Sequence, residues 1–424
     1  MERFTGILGI ILIFALAFLM SNNRKAINYR LVLSGFTIQI LLAVFILKVP
    51  LGQTIFGLLG EFITKVLDFS QKGAAFVFGP LVNREYMGKA FGVGNEFVFF
   101  FSIIPTIIFV AVLVSVAYYL GIMQLIVRFF AYIVYKIMGV SGAEALSNVA
   151  SAFVGQVEAQ IMIKPYLKGM TMSELLASMA GSMACIAGGV MAVYIALGVP
   201  AEYLIAASIM AAPAALVISK IVWPETEVSE TKGKVSLDIR KTNANLVDAI
   251  SHGAGDGLKV GLNVIAMLIG FIAIIALLDW ILGGIGWCLA YAGVSLSFIG
   301  IDVSHLSLNQ ILGAVFSVFA WAMGVPAKDV QTAGSLMGTK MVINEFVAYL
   351  DLSRLKGSLD PKTLIITSFA LCGFANFSSI AIQVGGIGEL APERRADLAK
   401  LGIKALICGT LASYLSATIA GILM

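Results

Sequence analysis

The chain has 424 residues, 59% of them hydrophobic and only 12% charged, with a mean hydropathy of +0.97. A soluble domain carries about 45–50% apolar and about 25% charged residues, so too little polar material remains to cover a water-facing surface, and a soluble enzyme or a disordered chain is excluded. The 28 basic and 24 acidic residues leave a net charge of +4, too small and too scattered for a phosphate-binding face, which excludes nucleic acid as a partner.

The composition instead predicts an all-α polytopic membrane protein whose first partner is the lipid bilayer. A spanning helix needs about 20 apolar residues, and candidate spans lie near 4–20, 31–48, 97–120, 174–198, 201–222, 258–284, 364–387 and 401–424. The first span is followed, not preceded, by its basic cluster at Arg24 and Lys25, so it does not read as a cleaved leader. The positive-inside rule places that loop, and the loop with Arg394, Arg395 and Lys400, in the cytoplasm. Both termini then face outward across about eight crossings, a number set by these assignments. Residues 51–94 alternate short apolar runs with glycine and charge and are expected along the interface, as is the amphipathic 122–139.

Two apolar stretches are interrupted. Residues 144–168 carry Gly155-Gln156-Val157-Glu158-Ala159-Gln160, and residues 306–340 are broken by Gly324-Val325-Pro326. Each is expected to be a re-entrant hairpin, and a hydrophilic linker at 224–257 divides the chain into halves with one hairpin apiece. Paired interrupted segments of this kind point to an inverted-repeat secondary transporter with its site near the midplane. The four cysteines, Cys185, Cys288, Cys372 and Cys408, have no paired spacing and read as small buried hydrophobes.

Polar residues at membrane depth survive mainly where they face a cavity or a partner. Glu158 sits in the first hairpin, Glu345 follows the second, and Asn376, Ser378 and Ser379 lie in a later span. Carboxylates with amides at this depth suit a small neutral solute rich in hydroxyl groups. Structural alternatives remain: Glu158 paired with Lys164, Glu345 at the interface, and Asn376 and Ser379 bonding helix to helix. No His-Glu-x-x-His, Gly-x-Ser-x-Gly or Walker-type loop is present, so no enzyme activity and no cofactor are expected. Uphill transport would draw on an ion gradient.

Phe153-Val154-Gly155-Gln156-Val157-Glu158-Ala159, Ile186-Ala187-Gly188-Gly189-Val190-Met191-Ala192, Asn344-Glu345-Phe346-Val347-Ala348-Tyr349 and Cys372-Gly373-Phe374-Ala375-Asn376-Phe377-Ser378-Ser379 resemble the concentrative nucleoside transporters, in the form of their bacterial members. The resemblance implies an elevator-type homotrimer in a bacterial inner membrane, taking up uridine, cytidine and adenosine-like nucleosides. It divides the chain into scaffold helices at 1–120, a first transport half at 121–223, the linker, a scaffold helix at 258–300, a second transport half at 301–400 and a C-terminal helix at 401–424. It also implies that Gln156, Val157, Glu158, Val190 and Phe374 face the base while Glu345, Asn376 and Ser379 hold the ribose.

The sodium site of sodium-coupled relatives maps, by the same resemblance, onto Ser151, Val154, Cys185 and Ile186. An asparagine is replaced there by Ser151 and a serine by Cys185, and a thiol is a poor ligand for a hard cation. A coupling ion is expected, with the proton favoured over sodium and Glu158 or Glu345 as its carrier. Val157 stands where a small hydroxyl residue is usual, and Gln160 where a proline is usual, which returns a polar group near the hairpin tip. The alternatives are a passive nucleoside facilitator and a nucleobase carrier without ion coupling.

Overall fold

The computed structural model describes residues 2–92, 98–232, 243–296 and 301–424. The described residues are helices, turns and loops, apart from one isolated antiparallel bridge between Leu296 and Ile301. The helices are α1 (Glu2–Leu19), α2 (Tyr29–Leu47), α3 (Pro50–Phe78), α4 (Arg84–Phe91), α5 (Phe99–Tyr119), α6 (Ile122–Met138), α7 (Gly142–Ser151), α8 (Glu158–Ile161), α9 (Met172–Ala184) and α10 (Gly188–Ala196). They continue with α11 (Ala201–Val222), α12 (Leu246–Tyr291), α13 (Leu308–Ala322), α14 (Val330–Val342), α15 (Glu345–Leu355), α16 (Pro361–Leu371), α17 (Phe377–Leu390) and α18 (Arg395–Leu423).

The order of elements repeats. A long helix (α5, α12) is followed by a shorter one (α6, α13), a hairpin of short helices (α7/α8, α14/α15), a broken helix (α9/α10, α16/α17) and a long closing helix (α11, α18). Helices α9, α11 and α18 pack on one another at the centre, with α16 against α18 and α2 against α11. The most apolar stretch of α11 is 94% buried, whereas that of α12 is 17% buried. Helix α12 rests on α5 through Gly253 and Gly257, where an added Cβ would come within 2.8 and 2.6 Å of the backbone of Val112 and Ile108. Small residues at this four-residue spacing let two membrane helices approach closely.

Several expected spans take a different form. The span 174–198 is two helices separated at residues 185–187, and 364–387 is two helices separated at 372–376. Among the described residues, six helical runs are long and apolar enough to cross a membrane; the apolar part of α1, Thr5–Leu19, is shorter, as are α13 and α16. The interfacial stretch 51–94 contains one continuous helix, α3, and the short α4, while residues 93–97 lie outside the described residues. The amphipathic 122–139 is α6.

The linker is shorter than its composition suggested. Residues 246–257 are the first turns of α12, and 233–242 lie outside the described residues, as do 297–300 at the end of the expected scaffold segment. Residues 224–232 pack against helix starts: Ser229 Oγ donates to Glu174 Oε1 (2.5 Å), and the backbone N–H groups of Gly142 and Ala143 donate to the Thr231 carbonyl and hydroxyl (3.2 Å each). Beside them Lys220 pairs with Glu144 at 2.6 Å, both side chains 3% exposed. Thr231 is drawn inward because the N-terminus of α7 presents free N–H groups that need acceptors, and Ser229 and Lys220 because the buried Glu174 and Glu144 carboxylates need donors.

The second hairpin is also displaced from its expected position. Gly324-Val325-Pro326 joins α13 to α14, but the break that reaches the centre lies later, at Ile343-Asn344 between α14 and α15. Glycine and proline mark the first turn, whereas an asparagine cap makes the second: Asn344 Oδ1 accepts the Val347 N–H at 2.9 Å. Of the cysteines, Cys185, Cys372 and Cys408 are buried, but Cys288 is exposed on the lightly covered α12.

Candidate functional site

The two broken helices meet at their breaks. The Phe374 N–H donates to the Cys185 carbonyl (3.3 Å), and the Gly188 N–H donates to the Phe153 carbonyl at the tip of the first hairpin (3.1 Å). Gly373 has φ +113°, and a Cβ there would collide with the Ala184 carbonyl. Only glycine takes this conformation and this approach without strain. Residue 373 therefore sets how tightly the two breaks cross.

Three of the expected residues, Glu345, Asn376 and Ser379, are buried together. Asn376 Nδ2 donates to Glu345 Oε2 (2.9 Å), and Asn376 Oδ1 accepts from the Ser379 N–H (2.9 Å) and the Ser378 hydroxyl (2.7 Å). Asn376 thus caps α17 and binds the carboxylate at once, combining the functional and the helix-bonding readings. Gln156 Nε2 reaches Ser379 Oγ at 3.5 Å, which ties the first hairpin tip to the same group. A continuous polar chain runs from Gln156 through Ser379 and Asn376 to Glu345. Glu345 is buried rather than interfacial, and its carboxylate is held by two donors.

The second donor to Glu345 is Tyr194, whose hydroxyl lies 3.0 Å from Oε1 and whose ring stacks on Tyr349 with centroids 4.2 Å apart. Gln383 is a further addition, donating to Gln156 Oε1 and to the Met179 carbonyl at 3.3 Å each. Sequence reasoning missed both. Tyr194 sits in an apolar helix where an aromatic reads as packing, and Gln383 is a single amide within a span.

The base-side residues are placed unequally. Phe374 is half-buried at the crossing, and Val190 is half-buried in the first turn of α10. The Val157 methyls press on α17, since a Cβ at Gly386 would come within 2.6 Å of them. The Glu158 side chain is exposed, and its carboxylate lies over Gly155 in the space a side chain there would fill. No ion pair joins Glu158 to Lys164 among the described residues. Gln160, in α8 just past the tip, turns inward. It is fully buried, accepting from Ser178 (2.6 Å) and donating to Ser182 (2.7 Å).

Ser151, Val154, Cys185 and Ile186 are buried side by side. The Ser151 hydroxyl donates to the Ser147 carbonyl (2.7 Å) and lies 3.0 Å from Ser182 Oγ, while the Cys185 thiol points at the Ser208 carbonyl (3.6 Å). Ser208 in turn donates to the Ala152 carbonyl (3.1 Å). The Ser151 and Cys185 side chains bond within the protein, and the Cys185 carbonyl accepts from the Phe374 N–H with one lone pair left over. Among the described residues no group of three acidic, histidine or cysteine side chains is arranged to hold a metal.

The comparisons with known proteins agree on one class. Family models described as Na+ dependent nucleoside transporter N-terminus, nucleoside recognition, and Na+ dependent nucleoside transporter C-terminus match residues 8–81, 100–201 and 203–421. The nucleoside permease NupC of Helicobacter pylori is 40% identical, over 98% of this chain and 97% of the permease. Sodium/nucleoside cotransporter 1 of Mus musculus is 37% identical over 100% of this chain and 64% of its own length. The solved structure of CNTnw in an inward-facing, substrate-bound state superposes with a TM-score of 0.92 at 42% identity, covering 100% of this chain and 98% of that one. The fold is that of an inverted-repeat membrane transporter, not an enzyme. The chain belongs to the concentrative nucleoside transporter family, whose models are described as Na+ dependent.

Proposed function

We propose that this chain carries nucleosides inward across a bacterial inner membrane, binding them on the polar chain from Gln156 to Glu345. That chain carries the reading: it joins the tip of the first hairpin to the α16/α17 break and to the start of α15, through amides and a hydroxyl that both donate and accept and a carboxylate that accepts. Glu345, Asn376 and Ser379 bind the ribose hydroxyls, replacing the water a sugar must shed. Gln156, Val157, Glu158, Val190 and Phe374 line the base, whose few polar contacts admit uridine, cytidine and adenosine alike. Movement is elevator-fashion, within a homotrimer. Support for the trimer is the apolar, lightly covered surface of α12.

The end of the bundle where the Asn22 N–H meets the Val222 carbonyl and Lys404 lies 4.6 Å over the Trp223 ring gathers the basic loops, and the positive-inside rule makes it cytoplasmic, leaving both termini outside.

Proton coupling is the preferred reading, because Ser151 is engaged with Ser147 and Ser182 and Cys185 offers sulfur where a sodium ion wants oxygen. Sodium is the second reading. The family models' description favours it, and the carbonyls of Val154, Cys185 and Ile186 remain the ligands it would use. The test is labelled-uridine uptake into proteoliposomes under an inward proton gradient or an inward sodium gradient at matched pH. Accumulation with protons alone upholds the first reading, and accumulation with sodium alone replaces it with the second. Equilibration without accumulation under either gradient makes the protein a facilitator, and equal competition by uracil makes it a nucleobase carrier.

A further inference from the structure

Lys340 lies in the last turn of α14, fully buried. Its ammonium donates to the carbonyl of Ala370 (2.8 Å) and to that of Cys372 (3.1 Å). Among the described residues no carboxylate lies within ion-pairing distance of it. A buried cation held by backbone carbonyls is normally a bound metal ion or a charge with an acidic partner, since desolvation is costly. Here the direct contacts are a helix end, and the Glu345 carboxylate acts on the ammonium only from beyond ion-pairing distance. The last turn of α16 points its unpaired carbonyls at Lys340, and the C-terminal end of a helix carries partial negative charge. The Ser413 hydroxyl completes the arrangement, donating to the same Cys372 carbonyl at 2.7 Å.

The place is defined by the repeat. Cys372 opens the α16/α17 break as Cys185 opens the α9/α10 break, and α14 stands to the second as α7 stands to the first. In the first half that place holds Ser151 and Cys185, and the Cys185 carbonyl accepts from the Phe374 N–H. Interrupted helices in transporters offer such carbonyls to coupling cations. We propose that Lys340 is a tethered cation filling the second half's ion position, so that the Cys372–Asn376 turn keeps one shape without a mobile ion. It is a positioning residue. By bracing Cys372 it fixes Gly373 and Phe374 against the first break, and Asn376 against Glu345. Any mobile metal cation is then confined to the first half.

The proposal predicts that a small free ammonium can replace the side chain, which a purely packing role would not allow. Full-length Lys340→Ala and Lys340→Met are purified in detergent with choline as the only monovalent cation. Thermal unfolding and binding of a labelled nucleoside that the parent binds are then measured, with choline exchanged for ammonium or methylammonium. Both variants are expected to bind about tenfold or more weakly than the parent in choline, since a charge-assisted bonding group is lost. Ammonium is expected to raise both the melting temperature and the affinity of Lys340→Ala while leaving the parent unmoved. The melting arm does not depend on which nucleoside is carried or which ion drives it.

Parent-like affinity in Lys340→Met would overturn the proposal, as would a Lys340→Ala whose melting and binding ignore both cations. A variant recoverable in ammonium but not in choline counts for it, and one recoverable in neither counts against it.

Discussion

At the α9/α10 break the chain turns through three residues, Cys185, Ile186 and Ala187, with ordinary negative φ at Cys185 (−106°) and Ala187 (−64°). At the α16/α17 break five residues intervene, one of them Gly373 at φ +113°, and Asn376 caps the second helix. The hairpin bases differ as well. The first is anchored by the buried Glu144–Lys220 pair, whereas the second rests on Asp329, whose Oδ2 accepts the Asp360 N–H (2.9 Å) and the Thr363 hydroxyl (2.7 Å). One architecture is thus held by a buried ion pair at the base of one half, and by a lone buried carboxylate at the base and a buried ammonium at the break of the other. The polar side chains that reach the centre come mostly from the second half, and the first contributes Gln156 and the Tyr194 hydroxyl. Repetition of the fold has not meant repetition of the chemistry.

The comparison breaks most visibly if the two bases respond alike. Removing one partner of a buried pair leaves an uncompensated charge, at a cost of about 3–5 kcal/mol. Lys220→Met is expected to lower the melting temperature sharply, with partial recovery in the Lys220→Met/Glu144→Gln double variant. Asp329→Asn keeps one acceptor and is expected to lose only about 1–1.5 kcal/mol. Thermal unfolding in detergent reads all three, and equal losses at the two bases would dissolve the distinction.

The next effect falls on binding. Glu345→Gln keeps the side chain's shape but removes the charge, and is expected to weaken nucleoside affinity roughly 10–100-fold, in line with about 1.5–3 kcal/mol for hydrogen bonds to a charged group. Isothermal titration of Glu158→Gln beside it sharpens the contrast. The exposed Glu158 should lose less than the buried Glu345, and the reverse order would move the sugar contact to the first hairpin.

Gly373→Ala should cost about 1–3 kcal/mol through its left-handed backbone and its clash with the Ala184 carbonyl. Ala187→Gly at the matching break should cost no more than about 1 kcal/mol. Melting curves test the pair. Smallest is Ser379→Ala, where one neutral hydroxyl is worth about 0.5–1.5 kcal/mol, a several-fold rise in KM for uptake with the protein's melting little changed.

Much of the site was legible in the residues because burying polar groups in lipid is costly. Glu345, Asn376, Ser379 and Gln156 announced themselves as polar side chains in apolar runs, and they do converge. Tyr194, Gln383 and Lys340 did not. A tyrosine or a glutamine within a helix says nothing of what it faces, and Lys340 lay at the edge of a segment read as a hairpin end. Gln160 was legible as a polar group near the hairpin tip, but not its partners, since Ser178 and Ser182 come from another helix and satisfy it inside.

What the sequence determined by itself was the solvent, the helical class and the two-half layout. These follow from local composition, since each span must satisfy its own backbone in lipid wherever it lies. The tertiary structure alone decided where the helices break and what the breaks hold. Ile343-Asn344 carries no glycine or proline, and neither does Cys185-Ile186-Ala187, although Gly188-Gly189 beside it allows a helix break or a close helix approach. They open because hydrogen-bonding partners far away in the chain, the Phe374 N–H for Cys185 and the Asn376 amide for Glu345, stabilise backbone and carboxylate that the local sequence leaves unpaired.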